Sequence, residues 1–154
     1  MRISTRARYA LRMLIEIARD GTADGPISLK EVAQRSRISR SYLEQLAISL
    51  KNASLIRGRS GHRGGYRLAR PAASITIGQI LRAVIGPINV VDCVRHPDTC
   101  LAADLCGCRA IYQLVNERIT DVLEEFTLQD LVRRDGGSAM TERLADAEQG
   151  CPAR

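Results

Sequence analysis

Two short amphipathic segments joined by a very tight turn limit the possible folds of this chain more than any other feature. Ser28 has Glu31 three residues later, which is the capping-box pattern of a helix start, and this helix is predicted to end near Arg35. After the turn at residues 36–38, Ser39 is predicted to cap a second helix that runs to about residue 52. The apolar positions of the two helices are Leu29, Val32 and Ala33, then Tyr42, Leu43, Leu46 and Leu50. Two short helices connected in this way are typical of a helix-turn-helix.

A glycine-rich segment at residues 58–65 follows the second helix, with apolar and polar residues alternating on both sides of it. This pattern predicts a β-hairpin with a basic tip, and a hairpin directly after a helix-turn-helix is a winged helix. An amphipathic helix over residues 5–19 is predicted to precede the motif, with a stripe of Ala7, Ala10, Leu11, Leu14, Ile15 and Ala18. The predicted fold class is therefore mainly α with a small β-wing.

The second half of the chain predicts a helix at residues 77–84, an irregular segment at 92–108 and a long helix at about 109–126. The long helix has apolar residues at steps of 4, 4, 3 and 4, namely Ile111, Val115, Ile119, Val122 and Phe126. This spacing is close to a coiled-coil seam and favours a homodimer through residues 109–126 over packing on its own domain. Thr127 is predicted to cap a last short turn through Val132. We predict a winged helix-turn-helix at 1–86, a cysteine loop at 87–108, a dimerisation helix at 109–133 and a disordered tail at 134–154.

The charge of the chain is concentrated in its first half. Residues 1–72 hold 15 of the 23 Lys and Arg and 5 of the 17 Asp and Glu, so this half carries a formal +10 and the remainder −4. A basic half on a small protein indicates nucleic-acid binding. An arginine-rich surface from a GC-rich genome would explain the excess of Arg over Lys but not the asymmetry. No apolar run reaches the length of a membrane span and no signal-peptide pattern is present, so we expect a soluble, cytoplasmic protein with no membrane partner.

The start of the second helix of the motif is expected to meet base edges in the major groove of double-stranded DNA. The residues predicted to contact DNA there are Ser39, Arg40, Ser41, Tyr42, Glu44 and Gln45. Glu44 can accept from a cytosine amino group, or it can pair with Arg40 one turn earlier. The other predicted DNA contacts are Arg2 at the N-terminus and, on the wing, Arg59, His62, Arg63, Gly64 and Gly65. The glycines do not form a Walker or dinucleotide motif, and no catalytic constellation is present, so we predict that the protein is not an enzyme.

Four of the five cysteines lie within sixteen residues, at Cys93, Cys100, Cys106 and Cys108. Their spacing lacks the paired knuckles of structural zinc sites, so we rank an iron–sulfur cluster first, a redox disulfide second and zinc third. Cys106 and Cys108 would point apart if the long helix had already begun there. Cys151 is read as a free thiol in the tail.

Four segments together resemble one known family: MRISTRARYALRMLIEIA, SLKEVAQRSRISRSYLEQL, GGYRLARP and ITIGQILRAV. With the cysteine loop before a long helix, they are similar to the Rrf2 family of bacterial winged-helix transcriptional regulators, in its IscR/NsrR-like branch, over about residues 1–133. The resemblance implies a homodimer that binds a palindromic operator. It also implies an iron–sulfur cluster, with [2Fe-2S] favoured over [4Fe-4S], held by Cys93, Cys100 and Cys106. The family's acidic recognition-helix residue falls at Glu44, which favours the base-reading role.

The chain departs from the family pattern at three positions. A histidine ligand that one branch has after the third cysteine falls at Arg109, and an acid that another branch takes from the partner's first helix falls at Arg8. The fourth ligand is therefore left open between Cys108, His96 and an exogenous group. A wing arginine of the family falls at Ser60, so operator preference is expected to differ.

The function predicted from these features is a transcriptional regulator, with a repressor favoured, whose cluster responds to iron or cluster status, nitric oxide or redox state. The alternatives are a metal-free thiol sensor that forms a disulfide, an iron–sulfur carrier or scaffold that does not bind DNA, and an adaptor of a larger enzyme.

Overall fold

Helices form most of the described part of the chain, and a two-stranded sheet lies between the third and the fourth α-helix. The computed structural model describes residues 3–20, 25–61, 64–101 and 105–132, so the predicted tail at 134–154 and Cys151 lie outside the described residues. The helices are α1 (Thr5–Asp20), α2 (Leu29–Ser36), α3 (Arg40–Asn52), α4 (Ile77–Ile85), α5 (Asp92–Arg95), α6 (Gly107–Glu125) and α7 (Leu128–Val132). The strands are β1 (Ile56–Arg59) and β2 (Gly65–Leu68), and 3-10 turns occupy Ala72–Ser74 and Pro97–Thr99. This is the mainly α fold with a β-wing that the sequence predicts.

Helix α1 lies at the centre of the core and packs against α2, α3, α4, α7 and the wing. Its buried residues are Ala7, Ala10, Met13, Leu14, Ile17 and Ala18. All six residues of the predicted stripe lie in or against the core, with Leu11 and Ile15 only half-buried. Met13 and Ile17, which the predicted stripe does not include, are fully buried. The buried face of α1 is wide because several elements surround the helix. The positions of those elements determine which residues of α1 are buried.

The helix-turn-helix forms where the sequence predicts it, and its first helix has the predicted capping box. Ser28 Oγ accepts from the backbone N–H of Glu31 at 3.2 Å, and the Glu31 carboxylate accepts from the backbone N–H of Ser28 at 3.2 Å. Arg37 ends α2 in the left-handed region with a φ of 55°. The predicted cap of α3 was wrong in one respect. Ser39 occupies the N-cap position, but its side chain makes no capping hydrogen bond and lies 3.5 Å from Ser41 Oγ.

The wing is an antiparallel hairpin in which Gly58 opposes Tyr66 and Arg59 opposes Gly65. It is attached to the segment before α2 by two backbone hydrogen bonds, from Ile27 N to Tyr66 O at 3.0 Å and from Tyr66 N to Ile27 O at 2.8 Å. A Cβ atom on Gly65 would collide with the Ile27 carbonyl. Gly65 is therefore required by the close approach of two backbone segments.

Helices α6 and α7 return the chain to the core that α1 organises. Thr76 and Thr127 form a backbone bridge, and Leu128 is fully buried. Thr76 also begins α4, in a capping box with Gln79. Helix α6 begins at Gly107, two residues earlier than predicted, so Cys108 lies inside it. The predicted domain division stays a prediction, although α7 packs directly against α1.

Glu124 joins α6 to α4 through two side chains. Thr76 Oγ1 donates to its Oε2 at 2.6 Å, and Arg82 forms an ion pair with its Oε1. Burial alone would raise the pKa of Glu124, but the hydrogen bonds from Thr76 and Arg82 and the charge of Arg82 together outweigh it. The net pKa lies below its ordinary value, so the contact contributes stability at neutral pH that is lost as the pH falls through that lowered pKa.

Among the described residues, no helix combines the length and the apolar character that crossing a bilayer requires.

Replacing Gly65 by Ala should destabilise the fold, because the added methyl group meets the backbone of Ile27. We expect a loss of about 1–3 kcal/mol in the free energy of unfolding, measured by urea denaturation. Gly58→Ala is the matched control on the facing strand, since its Cβ would lie 3.6 Å from Tyr66 Cε1, an ordinary contact. Equal stability losses in the two variants would contradict the proposed role of the Ile27 contact.

Candidate DNA-binding surface and cysteine segment

The start of α3 presents polar side chains to solvent. Ser39, Arg40, Ser41, Glu44 and Gln45 are exposed, whereas Leu43, Leu46, Ala47 and Leu50 on the opposite face are buried. Tyr42 differs from the other residues of α3 that are predicted to contact DNA, because it is half-buried. Its ring packs edge-to-face on Tyr9 of α1, with ring centroids 5.6 Å apart. This helix is thus fixed by one face and free to enter a groove with the other.

Glu44 and Arg40 form the ion pair that the sequence offers as the alternative to base reading. Arg40 Nε donates to Glu44 Oε1 at 2.9 Å, and both side chains are more than half exposed. An exposed pair one helical turn apart contributes only about 0.3–0.5 kcal/mol, so it can open when DNA binds. Arg40 is then available to a phosphate and Glu44 to a base edge.

The wing adds a second positively charged surface. Arg59 is exposed on β1, and Gly64 donates its N–H to the carbonyl of Gly61 at 2.9 Å, in a tip where Gly61 has a φ of 117°. The predicted contacts Arg2, His62 and Arg63 lie outside the described residues.

Two further arginines on the wing were not included in the predicted contact set. Arg57 and Arg67 are direct cross-strand partners and both are exposed. Like charges at paired positions destabilise a hairpin, and a polyanion beside them relieves that cost. The sequence could have indicated this pair of arginines, because the register of the predicted hairpin places them opposite each other.

The four cysteines of the second half lie on separate short elements. Cys93 is half-buried on α5, Cys100 is exposed after the second 3-10 turn, Cys106 is half-buried at the N-cap of α6, and Cys108 is exposed in the first turn of α6. All four are free thiols. In the described part of the chain, no three His, Cys, Asp or Glu side chains are close enough to hold a metal ion. The donor chemistry suits an iron–sulfur cluster, but this arrangement of the segment does not gather the donors.

The cysteine segment is attached to α6 by packing and by one hydrogen bond. Helix α5 packs on α6, and the backbone N–H of Val90 donates to Asn116 Oδ1 at 3.1 Å. A change in the segment can therefore reach α6 directly. His96, the other candidate for a fourth ligand, is exposed at the end of α5.

Helix α6 exposes most of its predicted apolar stripe. All of its residues are described and none is buried, and the exposed fractions of Ile111, Val115 and Val122 are 62%, 39% and 52%. Ile119 is half-buried, and Phe126, just after α6, packs against the core of the same chain. An exposed apolar row of this length indicates an interaction surface.

A helix-turn-helix with an exposed polar recognition face and a basic hairpin defines the class, a winged-helix DNA-binding protein. The family model of Rrf2, described as iron-dependent transcriptional regulator, matches residues 3–134, and this chain belongs to that family. It is a DNA-binding transcriptional regulator, and because the relatives are named as regulators, the prediction that it is not an enzyme is confirmed.

Curated relatives include the regulators CymR of Bacillus subtilis and IscR of Escherichia coli. CymR is 36% identical over 137 residues, 89% of this chain and 94% of CymR. IscR is 33% identical over 132 residues, 86% of this chain and 80% of IscR.

Solved structures support the same fold. The structure of B. subtilis CymR, described as the global cysteine regulator, has a TM-score of 0.71 at 36% identity and covers 86% of this chain and 96% of that one. The oxidized form of Staphylococcus aureus CymR has a TM-score of 0.67 at 34% identity, covering 86% and 97%.

Glu44 and Arg59 should affect DNA binding in different ways. Glu44→Ala should reduce discrimination at one base pair by about tenfold while leaving non-specific affinity intact, because a base-reading contact is lost. Arg59→Ala should weaken binding to all sequences and reduce the salt slope by about one, because a phosphate contact is lost. Titrations of matched and mismatched duplexes at several salt concentrations measure both effects. The reverse pattern would show that Arg59 makes the base-specific contact and that Glu44 contributes to general affinity.

Proposed function

We propose that this protein is a homodimeric regulator, a repressor, whose affinity for a palindromic operator is set by the chemistry of its cysteine segment in the bacterial cytoplasm. The primary candidate for that chemistry is an iron–sulfur cluster, [2Fe-2S] rather than [4Fe-4S], with Cys93, Cys100 and Cys106 as ligands. The observation that carries the proposal is the position of these thiols, which lie on a segment packed against the exposed apolar helix α6.

The exposed face of α6 supports the homodimer. Its apolar residues recur at steps of three and four, and Leu114, which lies beside them, is 54% exposed. A helix pairs with its own copy when such a row would otherwise remain in water. The copies would bury this row between them.

A dimer of winged helices accounts for a palindromic operator. Two recognition helices must lie about 34 Å apart to enter successive major grooves on one side of the duplex. Because α5 and α6 are in contact, a rearrangement of the cysteine segment can change the orientation of the two α6 helices. A small rotation there is amplified at the recognition helices, and one half-site is lost.

Cluster binding requires the cysteine segment to rearrange from the arrangement described above. The segment can do so without disturbing the core, since no residue of α5 is buried and Cys100 is exposed. The fourth ligand is Cys108 or His96 in this proposal. Cys108 lies in the first turn of α6, two residues beyond Cys106, so a shortened first turn of that helix would bring the two thiols to one site.

Removing the cluster should change operator affinity by about tenfold, the usual size of coupling between two sites. The measurement compares binding isotherms of anaerobically purified protein before and after iron chelation. Cys100→Ser should match the chelated protein, because one ligand is missing, while Cys151→Ser should match the untreated protein.

Identical isotherms for the loaded and the chelated protein would refute control by the cluster and leave DNA binding intact. Loss of the response in Cys151→Ser would instead place the controlling thiol in the tail.

Val115→Lys should separate the dimer, because it places a charge in the apolar row of α6. Operator affinity should fall about a hundredfold, since each monomer then binds a single half-site without the gain from linked binding. Gln113→Lys, an exposed position on the same helix outside the predicted stripe, is the control and should remain dimeric. Sedimentation velocity gives the mass, and a dimeric Val115→Lys variant would contradict the assigned interface.

The second candidate is a metal-free thiol sensor in which Cys100 forms a disulfide with Cys106 or Cys108. Two observations favour it: the four described thiols are free and two of them are exposed, and a relative has been solved in an oxidized form. Iron-free protein distinguishes the candidates. If its operator affinity changes between the reduced and the oxidised state and iron has no effect, the thiol mechanism replaces the cluster.

A further inference from the structure

An open cavity of about 320 Å³ lies between α4, α5 and α6, and residues 87–89, 94 and 95 of the cysteine segment form part of its wall. Its volume is at the lower end of the range for small-molecule sites, roughly 300–1,000 Å³. No thiol lines it, and neither does any residue of the recognition helix or the wing. It is therefore separate from the DNA-binding surface, and it borders the cysteine segment without including a thiol.

The charge of the cavity is positive. Arg82 of α4 and Arg95 of α5 both line it. Arg82 is paired with Glu124, which offsets one of the two charges, whereas Arg95 forms no ion pair or hydrogen bond in the part of the chain that the structure describes. About one positive charge is left to attract a ligand, and it resides on a planar guanidinium that suits a carboxylate.

The remaining walls supply neutral polar groups and a short apolar surface. Asn116 uses its Oδ1 for the backbone N–H of Val90, which directs its amide N–H groups to other acceptors. Thr120 donates its hydroxyl proton to the carbonyl of Asn116 at 2.8 Å, so its oxygen can accept. Ile88 and Val94 form the apolar part. One guanidinium, amide and hydroxyl groups, and a small apolar wall fit a compact, partly polar organic anion.

We propose that this cavity is a binding site for a small organic monocarboxylate, with its carboxylate on Arg95, its polar group on Asn116 and Thr120, and its hydrocarbon part on Ile88 and Val94. Such a ligand contacts α5 and α6 at once and lies beside Arg82 of α4, at the place where the cysteine segment meets the winged helix. The site does not depend on DNA binding, but five of its eight lining residues belong to the segment that cluster binding would rearrange, so the proposal applies to the protein without the cluster.

The test uses the full-length protein and one probe, N-acetyl-L-alanine, whose carboxylate, amide and methyl groups match the three walls. Ligand-observed saturation-transfer NMR at constant ionic strength follows the probe from micromolar to millimolar concentration. We expect saturable binding of the probe and none of N-acetyl-L-alaninamide, which has the same shape without the charge. No saturable binding of the probe, or equal binding of the neutral amide, would overturn the proposal.

Two variants locate the binding. Arg95→Gln should raise the Kd about tenfold, because the charge-assisted hydrogen bonds are lost. Asn116→Asp keeps the acceptor for Val90 N but adds a negative charge to the cavity, so it should also weaken binding. Arg57→Gln, on the wing, is the charge-matched control and should bind as the natural chain does. If both cavity variants bind the probe unchanged, the site lies elsewhere and the proposal is wrong.

Discussion

The packing of helix α1 is the constraint on which the rest of the structure depends. Its alanines at positions 7, 10 and 18 are buried and let neighbouring helices approach closely, while Met13, Leu14 and Ile17 fill the space between them. The recognition helix α3 packs on it from one direction and the returning helix α7 from another. Because both contact the same helix, the part of the chain that meets DNA and the part that follows α6 share one core. A displacement at one end therefore has a short physical route to the other.

Helix α6 is joined to other elements in its middle and toward its C-terminal end. Glu124 joins it to α4, Asn116 joins it to the segment before α5, and Leu128 follows it into the core. The first turns, where Cys106 and Cys108 lie, have no buried side chain. In this arrangement the half of the helix that carries thiols can change its contacts while the half that meets the winged helix keeps them. In the proposed function, a thiol or cluster signal reaches the DNA-binding surface by this route.

The sequence predicted those features that depend on neighbours close in the chain. Examples are the capping box of Ser28 and Glu31, the tight turn and the hairpin. Each involves residues a few positions apart, so its pattern can be recognised in the sequence alone. The features that the sequence did not predict depend on residues that lie far apart in the chain. The buried side of α1 includes Met13 and Ile17 because distant elements surround that helix. The contact of Gly65 with Ile27, and that of Thr76 with Glu124, join segments far apart in sequence, and no local pattern encodes them. For the cysteines, the iron–sulfur cluster that the spacing predicts stays a prediction, since the described thiols are not gathered.

The central claim is that two copies of this chain, joined through α6, hold an iron–sulfur cluster in each cysteine segment. Native mass spectrometry of protein purified without oxygen tests it most directly, because one spectrum counts subunits, iron and sulfide together. The account predicts a dimer heavier than two chains by the mass of two clusters, with that excess lost in the variant Cys100→Ser. A monomer, or a dimer with the mass of two bare chains, would contradict it.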